Sequence, residues 1–350
     1  MVSENAALAS TNTAAHAGPR VSVLLPFYKA AATLEKAINS ILEQSLQQWE
    51  LLLINNNADA ATAAIALRYS TMDKRILLLH ESRQGIAFAL NKGLAHTRAP
   101  LIARMDADDV SLPQRLQKQY QYLLEHPCIG LVACQCSFIS QSQAAGGYQR
   151  FVQWQNSLVS PQDHAINRFI ESPVAHPSVM FRRELIERWG GYSTEPVPED
   201  YELWLRWMSK GILFTKLQEE LVLWQDHPAR LSRTHPNYSE SAFLGVKMKY
   251  LAGWVHAHVA QHRKTVICGA SREIRRKAAL LASYNVPIYG FTDVKERNIA
   301  TANFIPIDQL ALDRKYFFIN LISKRGVGSQ VKKFLISMGF QEGPDFILAG

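Results

Sequence analysis

The sequence predicts an α/β protein built on a mixed, mainly parallel sheet flanked by helices. Short apolar runs at residues 21–25, 50–54, 75–79 and 101–105 have the length and character of buried strands. Segments between them carry apolar residues at helical spacing, as in Leu34, Ile38, Ile41 and Leu42. The connections are short, and such alternation folds with right-handed crossovers.

Each element has a local cause. Pro26 stops the first run, and Thr33 stands where it can cap the first helix. Asn55, Asn56 and Asn57 end the second run, and an Ala-rich helix follows. Gly85 opens a helix reaching His96, and a further helix starts near Pro113 and runs to about Glu125. Residues 129–139 read as an apolar strand, and 141–170 as loop and surface helix. Two dense stretches follow, 176–192 and 198–211. In the second, Pro198 suits a first helical turn, Tyr201, Trp204, Leu205 and Met208 form a stripe, and Gly211 ends the helix.

Residues 240–262 read as helical. A second β-α-β opening begins at Thr265 and continues through strands at 286–293 and 316–321 and a helix at 329–338. The expected organisation is a flexible tail over residues 1–18, a first domain over 19–245, a helical linker over 246–262, and a Rossmann-like accessory domain over 263–350. Gly269 stands where a dinucleotide loop would start, with Asp293 after the next strand. Ser271 and Ile274 replace the second and third glycines of Gly-x-Gly-x-x-Gly, so the accessory domain is not expected to bind NAD.

Composition narrows the class. The 350 residues are 47% hydrophobic and 19% charged, as in a globular protein. No apolar run reaches the length of a membrane span. The tail lacks the basic and apolar regions of a secretory signal. The cysteines, Cys128, Cys134, Cys136 and Cys268, read as reduced core residues of a cytoplasmic protein. The net charge of +8 gathers in residues 262–350, with fourteen Lys and Arg against seven Asp and Glu. Without interleaved aromatic residues this is no nucleic-acid stripe. Peripheral association with the anionic inner face of a membrane stays open. Oligomeric state is not readable.

The four strand exits carry the polar clusters 27–29, 55–57, 81–85 and 106–109, which a parallel sheet brings to one edge. The last cluster places Asp106, Asp108 and Asp109 directly after an apolar strand. Like charges so close repel unless a cation intervenes, and Mn²⁺ or Mg²⁺ bridging to phosphates would serve. A bare Asp-x-Asp also fits an acidic helix cap; convergence of the four exits favours the metal–phosphate reading.

Residues 20 to about 245 resemble a family 2 glycosyltransferase of the GT-A fold. The resemblance rests on Val21-Ser-Val-Leu-Leu-Pro-Phe-Tyr, Trp49-Glu-Leu-Leu-Leu-Ile-Asn-Asn-Asn, Gly85 with Asn91, Asp106-Ala-Asp-Asp, and Pro198-Glu-Asp-Tyr-Glu-Leu-Trp, in that order. It implies inverting transfer of a sugar from a nucleotide-diphosphate donor, favouring a UDP-sugar, to a hydroxyl of a glycan or lipid-linked glycan. The setting implied is cell-surface polysaccharide synthesis.

The resemblance also assigns residues. Pro26, Phe27, Tyr28, Asn56, Gly85, Asn91 and Asp106 would hold the nucleotide-sugar. Asn56 stands where the family usually has Asp, which leaves the identity of the base open. Asp108 would hold the metal, with Asp109 and His227 as further ligands. Asp200 would be the catalytic base, favoured as an anion at a helix start, and Glu199 would position it. His176 and Trp204 would line the acceptor side, with core packing as the other reading of Trp204. Arg104 suits an ion pair or the donor site, and Arg230 and Arg233 suit phosphate. Two other classes stay open: a sugar-nucleotide nucleotidyltransferase, disfavoured by the lack of glycine at residues 26–29, and a non-catalytic scaffold with a nucleotide-sensing C-terminal domain.

Overall fold

The computed structural model describes residues 18–140, 146–228, 230–259, 261–294, 303–307, 310, 314–324 and 326–350. The expected tail, apart from Gly18, lies outside the described residues. The chain forms two compact units: one runs to Pro161 and resumes over Val174–Tyr238, and the other takes Gln162–Pro173 and Ser239–Gly350.

The first unit opens with β1 (Val21–Phe27), α1 (Leu34–Leu42), β2 (Trp49–Asn55), α2 (Ala60–Met72), β3 (Ile76–His80), α3 (Ile86–Leu94) and β4 (Leu101–Arg104). It continues with β5 (Val110–Ser111), α4 (Arg115–Glu125), β6 (Ile129–Ser140) and α5 (Gly146–Ser157). Beyond α6 (Pro161–Asn167), which from Gln162 onward belongs to the other unit, come β7 (Met180–Arg182), α7 (Glu184–Trp189), α8 (Glu199–Ser209), β8 (Leu213–Asp226) and α9 (Leu231–Thr234). The eight strands form one sheet in the order β3-β2-β1-β4-β7-β6-β8-β5. β1 to β4 are parallel; β7 runs antiparallel to β4 and to β6, and β5 antiparallel to β8.

Both faces of the sheet are covered, which explains the near-continuous burial along β1, β2 and β4. Leu34, Ile38 and Ile41 of α1 pack with Leu116, Tyr120 and Leu123 of α4 on one core. Ala89, Leu90 and Leu94 of α3 pack with Leu203, Trp204 and Trp207 of α8 on the other. Thr33 precedes α1, but its hydroxyl turns back to the Ala30 carbonyl at 3.5 Å and gives no side-chain cap. Gly211, after α8, adopts φ +78°, as a helix-ending glycine does. Among the cysteines Cys134, Cys136 and Cys268 are buried, whereas Cys128 is exposed and so departs from the expected core role; all four are free.

The second unit contains α10 (Glu240–His258), β9 (Lys264–Cys268), α11 (Arg272–Ala282), β10 (Ile288–Asp293), β11 (Asn303–Pro306), β12 (Tyr316–Asn320), α12 (Val327–Ser337) and β13 (Phe346–Leu348). Its five strands are all parallel, in the order β11-β10-β9-β12-β13. By position within the unit this is 3-2-1-4-5, the order of a doubly wound sheet. α10 covers most of the stretch expected as a linker. It belongs to this unit because Val246, Met248, Leu251, Ala252 and Val255 are buried and Trp254 packs on Phe317 at 5.5 Å. β5, β7, β8, β11 and β13 were not among the expected elements, and of these β8 matters most below.

α3 lies hard against the sheet at Gly93. A Cβ there would stand 2.9 Å from Leu24 Cδ2 and 3.0 Å from Ile54 Cδ1. Gly93→Val should cost about 1–3 kcal/mol through overpacking, read as a lower urea midpoint with unchanged slope. A midpoint equal to wild type would contradict the contact.

Candidate active site

The acidic turn sits between β4 and β5, and topology gives it partners distant in sequence. β5 pairs antiparallel with β8, Val110 facing Leu223. The carboxyl end of β8 therefore lies against residues 106–109. Asp109 Oδ1 accepts from the Gln225 backbone N–H at 2.7 Å, and Asp108 Oδ2 lies 2.8 Å from His227 Nε2. The ligand oxygens of Asp106, Asp108 and Asp109 all lie within 4.8 Å of one another. His227 reaches this cluster through Asp108 and is not part of the group of three.

Charge in the turn is unevenly balanced. Arg104 is 1% exposed and pairs with Asp106. Burial opposes ionisation of Asp106, but the charge and hydrogen bond of Arg104 outweigh it and hold the carboxyl below its ordinary value. Asp109 shows the opposite balance. Burial, reinforced by the charges of Asp106 and Asp108, holds it well above the usual carboxylate range. Its Oδ2 is buried with no donor to meet it. Burial and two like charges leave this carboxyl without enough counter-charge.

A second group of polar residues surrounds the start of α8. Burial raises Asp200 to about 6, even though its Oδ1 accepts from the Tyr201 N–H at 2.7 Å. Burial and the neighbouring Asp200 raise Glu199 to about 8. Tyr238 donates its hydroxyl to Glu199 Oε2 at 2.6 Å, and His176 Nδ1 lies 3.8 Å from Glu199 Oε1. The other ring nitrogen of His176 meets the Tyr192 hydroxyl at 2.8 Å. Burial holds His176 well below its ordinary value, so the ring is neutral, with the Tyr192 hydroxyl as its hydrogen-bond partner. Arg104 acts on both groups: its charge lowers the carboxyl pKa of Asp106, Glu199 and Asp200 alike.

Several expected site residues have other work. Trp204, expected on the acceptor side, is fully buried in the core and meets His176 edge-on at 5.8 Å. Phe27 is likewise a core residue; of the 26–28 turn, Tyr28 presents an exposed ring, with Lys29 Nζ 5.3 Å from its centroid. Asn91 uses its whole amide on Tyr192, donating to its carbonyl at 2.8 Å and accepting from its N–H at 2.9 Å. Asn56 donates to the carbonyls of Glu81 and Arg83 at 3.0 and 2.8 Å and accepts from Gly85 N–H at 2.8 Å and Gln84 Nε2 at 3.3 Å. Its amide therefore shapes the 81–85 loop, where Gly85 takes φ +136°. Arg233 is spent on Asp226, and Arg230 donates to the Gln225 carbonyl at 2.6 Å while its charge still reaches Asp106 and Asp109.

Sequence reading missed three contributors. Tyr238 and Tyr192 give no local signal, since both act across long separations. Arg115 did leave one: with Gln119 it lies on the apolar stripe of α4, and both are fully buried. Arg115 donates to the Arg104 and Val179 carbonyls at 2.8 and 3.2 Å, fixing the backbone that carries Arg104.

Comparisons with known proteins agree with this geometry. Residues 22–190 match the glycosyl transferase family 2 model. The O-antigen biosynthesis glycosyltransferase WbnJ of Escherichia coli is 30% identical over 232 residues, covering 65% of this chain and 87% of WbnJ. The amylovoran biosynthesis glycosyltransferase AmsE of Erwinia amylovora is 29% identical over 204 residues, covering 57% of this chain and 74% of AmsE. Among solved structures, S. aureus TarS 1–349 in complex with UDP-GlcNAc superposes with a TM-score of 0.54 at 14% identity, covering 76% of this chain and 71% of that one. The match to the longer TarS structure covers 43% of its chain, with a TM-score of 0.53. The sheet and its helices are thus the GT-A fold, and the chain belongs to the family 2 glycosyltransferases.

Proposed function

We propose that the first unit is an inverting glycosyltransferase that moves a sugar from a nucleotide-diphosphate donor, a UDP-sugar by preference, to a hydroxyl of a glycan or lipid-linked glycan. The observation that carries this reading is one buried cation, Arg104, holding an acidic turn on one side and Asp200 on the other. The roles of the relatives from E. coli and E. amylovora, O-antigen and amylovoran biosynthesis, support a cell-surface polysaccharide as the product. No helix among the described residues is long and apolar enough to cross a membrane. The basic C-terminal part suits work at the cytoplasmic face of one.

Asp106, Asp108 and Asp109 fit a hard divalent cation, Mn²⁺ or Mg²⁺: the donors are all carboxylate oxygens, and Asp109 Oδ2 lacks any donor. When bound, the ion supplies neutralisation of the charge that develops on the departing diphosphate. His227 orients Asp108, and Arg230 adds positive charge beside the turn. Tyr28 offers its exposed ring to the nucleotide, and Asn56 acts on the base through the loop it fixes.

Asp200 takes the proton of the acceptor hydroxyl as that oxygen attacks the anomeric carbon from the face opposite the diphosphate. A carboxyl raised to about 6 is a stronger base than an exposed aspartate and is still ionised at neutral pH. Glu199, protonated over much of this range, holds the start of α8 through Tyr238.

Asp108→Ala and Asp200→Asn should each lower transfer by at least about a hundredfold. Only Asp108→Ala should also weaken metal-dependent nucleotide binding, measured by calorimetry with UDP, GDP and dTDP. Full turnover by Asp200→Asn would remove it from the base role. The pH profile of kcat/KM should lose activity below about 6, because Asp200 must be ionised.

Glu199 gives a stability test. A carboxyl whose folded pKa is raised stabilises the fold while protonated; here that contribution is complete below 4.5 and is lost as the pH rises through about 8. Glu199→Gln should therefore gain on wild type by more than about 1 kcal/mol between about pH 5 and about pH 8.5, read from urea midpoints. A pH-independent difference would show that Glu199 is not held protonated.

A further inference from the structure

We propose that the second unit binds the phosphate group of a small phosphorylated ligand at the start of α12, independently of the transfer site. In its 3-2-1-4-5 sheet the direction of winding reverses between β9 and β12. The crevice at the carboxyl ends of such neighbouring strands is where doubly wound sheets receive ligands. Two helices start there, α11 after Gly269 and α12 after Gly326.

The two helix starts differ. At α11 the site is closed by the protein itself: Ser271 caps the Ile274 N–H at 3.3 Å, and the Asp293 carboxylate accepts from the Ala270 N–H at 2.8 Å. An acid already occupies the place a phosphate takes in a dinucleotide fold. At α12 there is no side-chain cap, Gly326 adopts φ +77°, and a Cβ on Gly326 would meet only open space.

The second observation is a buried donor aimed at this start. Asn320, the last residue of β12, is 1% exposed, and its Nδ2 has no hydrogen-bond partner. That nitrogen lies 3.8 Å from where a Cβ on Gly328, in the first turn of α12, would stand. The register pairs Asn320 with Cys268 of β9, so their side chains share a face. An unmet amide donor beside a helix start with its partial positive charge matches an oxygen of a phosphate. After β12, Lys277 Nζ donates to Ser323 Oγ at 2.5 Å and ties Ser323 to α11. The ligand fits a nucleotide or free phosphate alike, since the phosphate is the shared chemistry.

Calorimetry on the full chain, in EDTA to silence metal-dependent binding at the transfer site, tests this with UMP and inorganic phosphate. Binding should weaken at least about tenfold in Asn320→Leu and in Gly328→Val, which fills the space beside Nδ2. It should stay within about twofold of wild type in Asp108→Ala. Circular dichroism checks each fold; if Asn320→Leu misfolds, Gly328→Val decides alone. Displacement of UMP by phosphate would support a site for the phosphate group itself, and binding of UMP alone would support a nucleotide site. If neither probe binds wild type, or both variants bind as wild type does, the proposal fails.

Discussion

The first unit depends on a single buried ion pair, Arg104 with Asp106. A guanidinium removed from water at the end of a central strand is costly unless an acid meets it, and loss of that acid would leave an uncompensated charge in the core. The pair does more than balance itself. The Arg104 field disfavours protonation of Glu199 and Asp200 and disfavours a charged His176. Two clusters that look separate in sequence therefore share one electrostatic centre. Arg115 holds the Arg104 carbonyl from below, so the centre is fixed by α4 as well as by the sheet.

The local parts of this arrangement were legible in the sequence. The runs around β1, β2 and β4, the acidic turn, and the stripe of α8 all follow from spacing that neighbouring residues decide. What escaped was the pairing of segments over a hundred residues apart. No local residue pattern tells which strand β8 will lie beside, yet its pairing with β5 brings Gln225 and His227 to Asp109 and Asp108. The apolar stretch 221–224 was the available signal, masked by the charged residues before it. Roles assigned by resemblance met a different limit. Trp204 and Phe27 stand at site positions in the sequence, but their apolar surface is consumed by the core.

The two units handle helix starts in contrasting ways. α8 begins with buried acids whose ionisation is resisted by burial and supported by a distant cation. α11 begins with its backbone donors already satisfied by Ser271 and Asp293. The parallel sheet of the second unit delivers α11 and α12 to one edge, whereas α8 follows the antiparallel β7 and α7. The residues at each start decide whether it is closed, charged or open. Fold therefore supplies the location, and a few polar side chains supply the chemistry.

Asn56 carries a consequence for how this protein can change. Its amide faces two carbonyls with its donors and two N–H groups with its oxygen, so residue and loop are matched on both sides. A carboxylate there would turn donors into acceptors opposite the carbonyls of Glu81 and Arg83. Any lineage exchanging this residue for an acid must reshape residues 81–85 in the same passage or cross a destabilised intermediate. Residue 56 and the 81–85 loop are thus inherited as a block of sequence, resistant to drift by single substitutions.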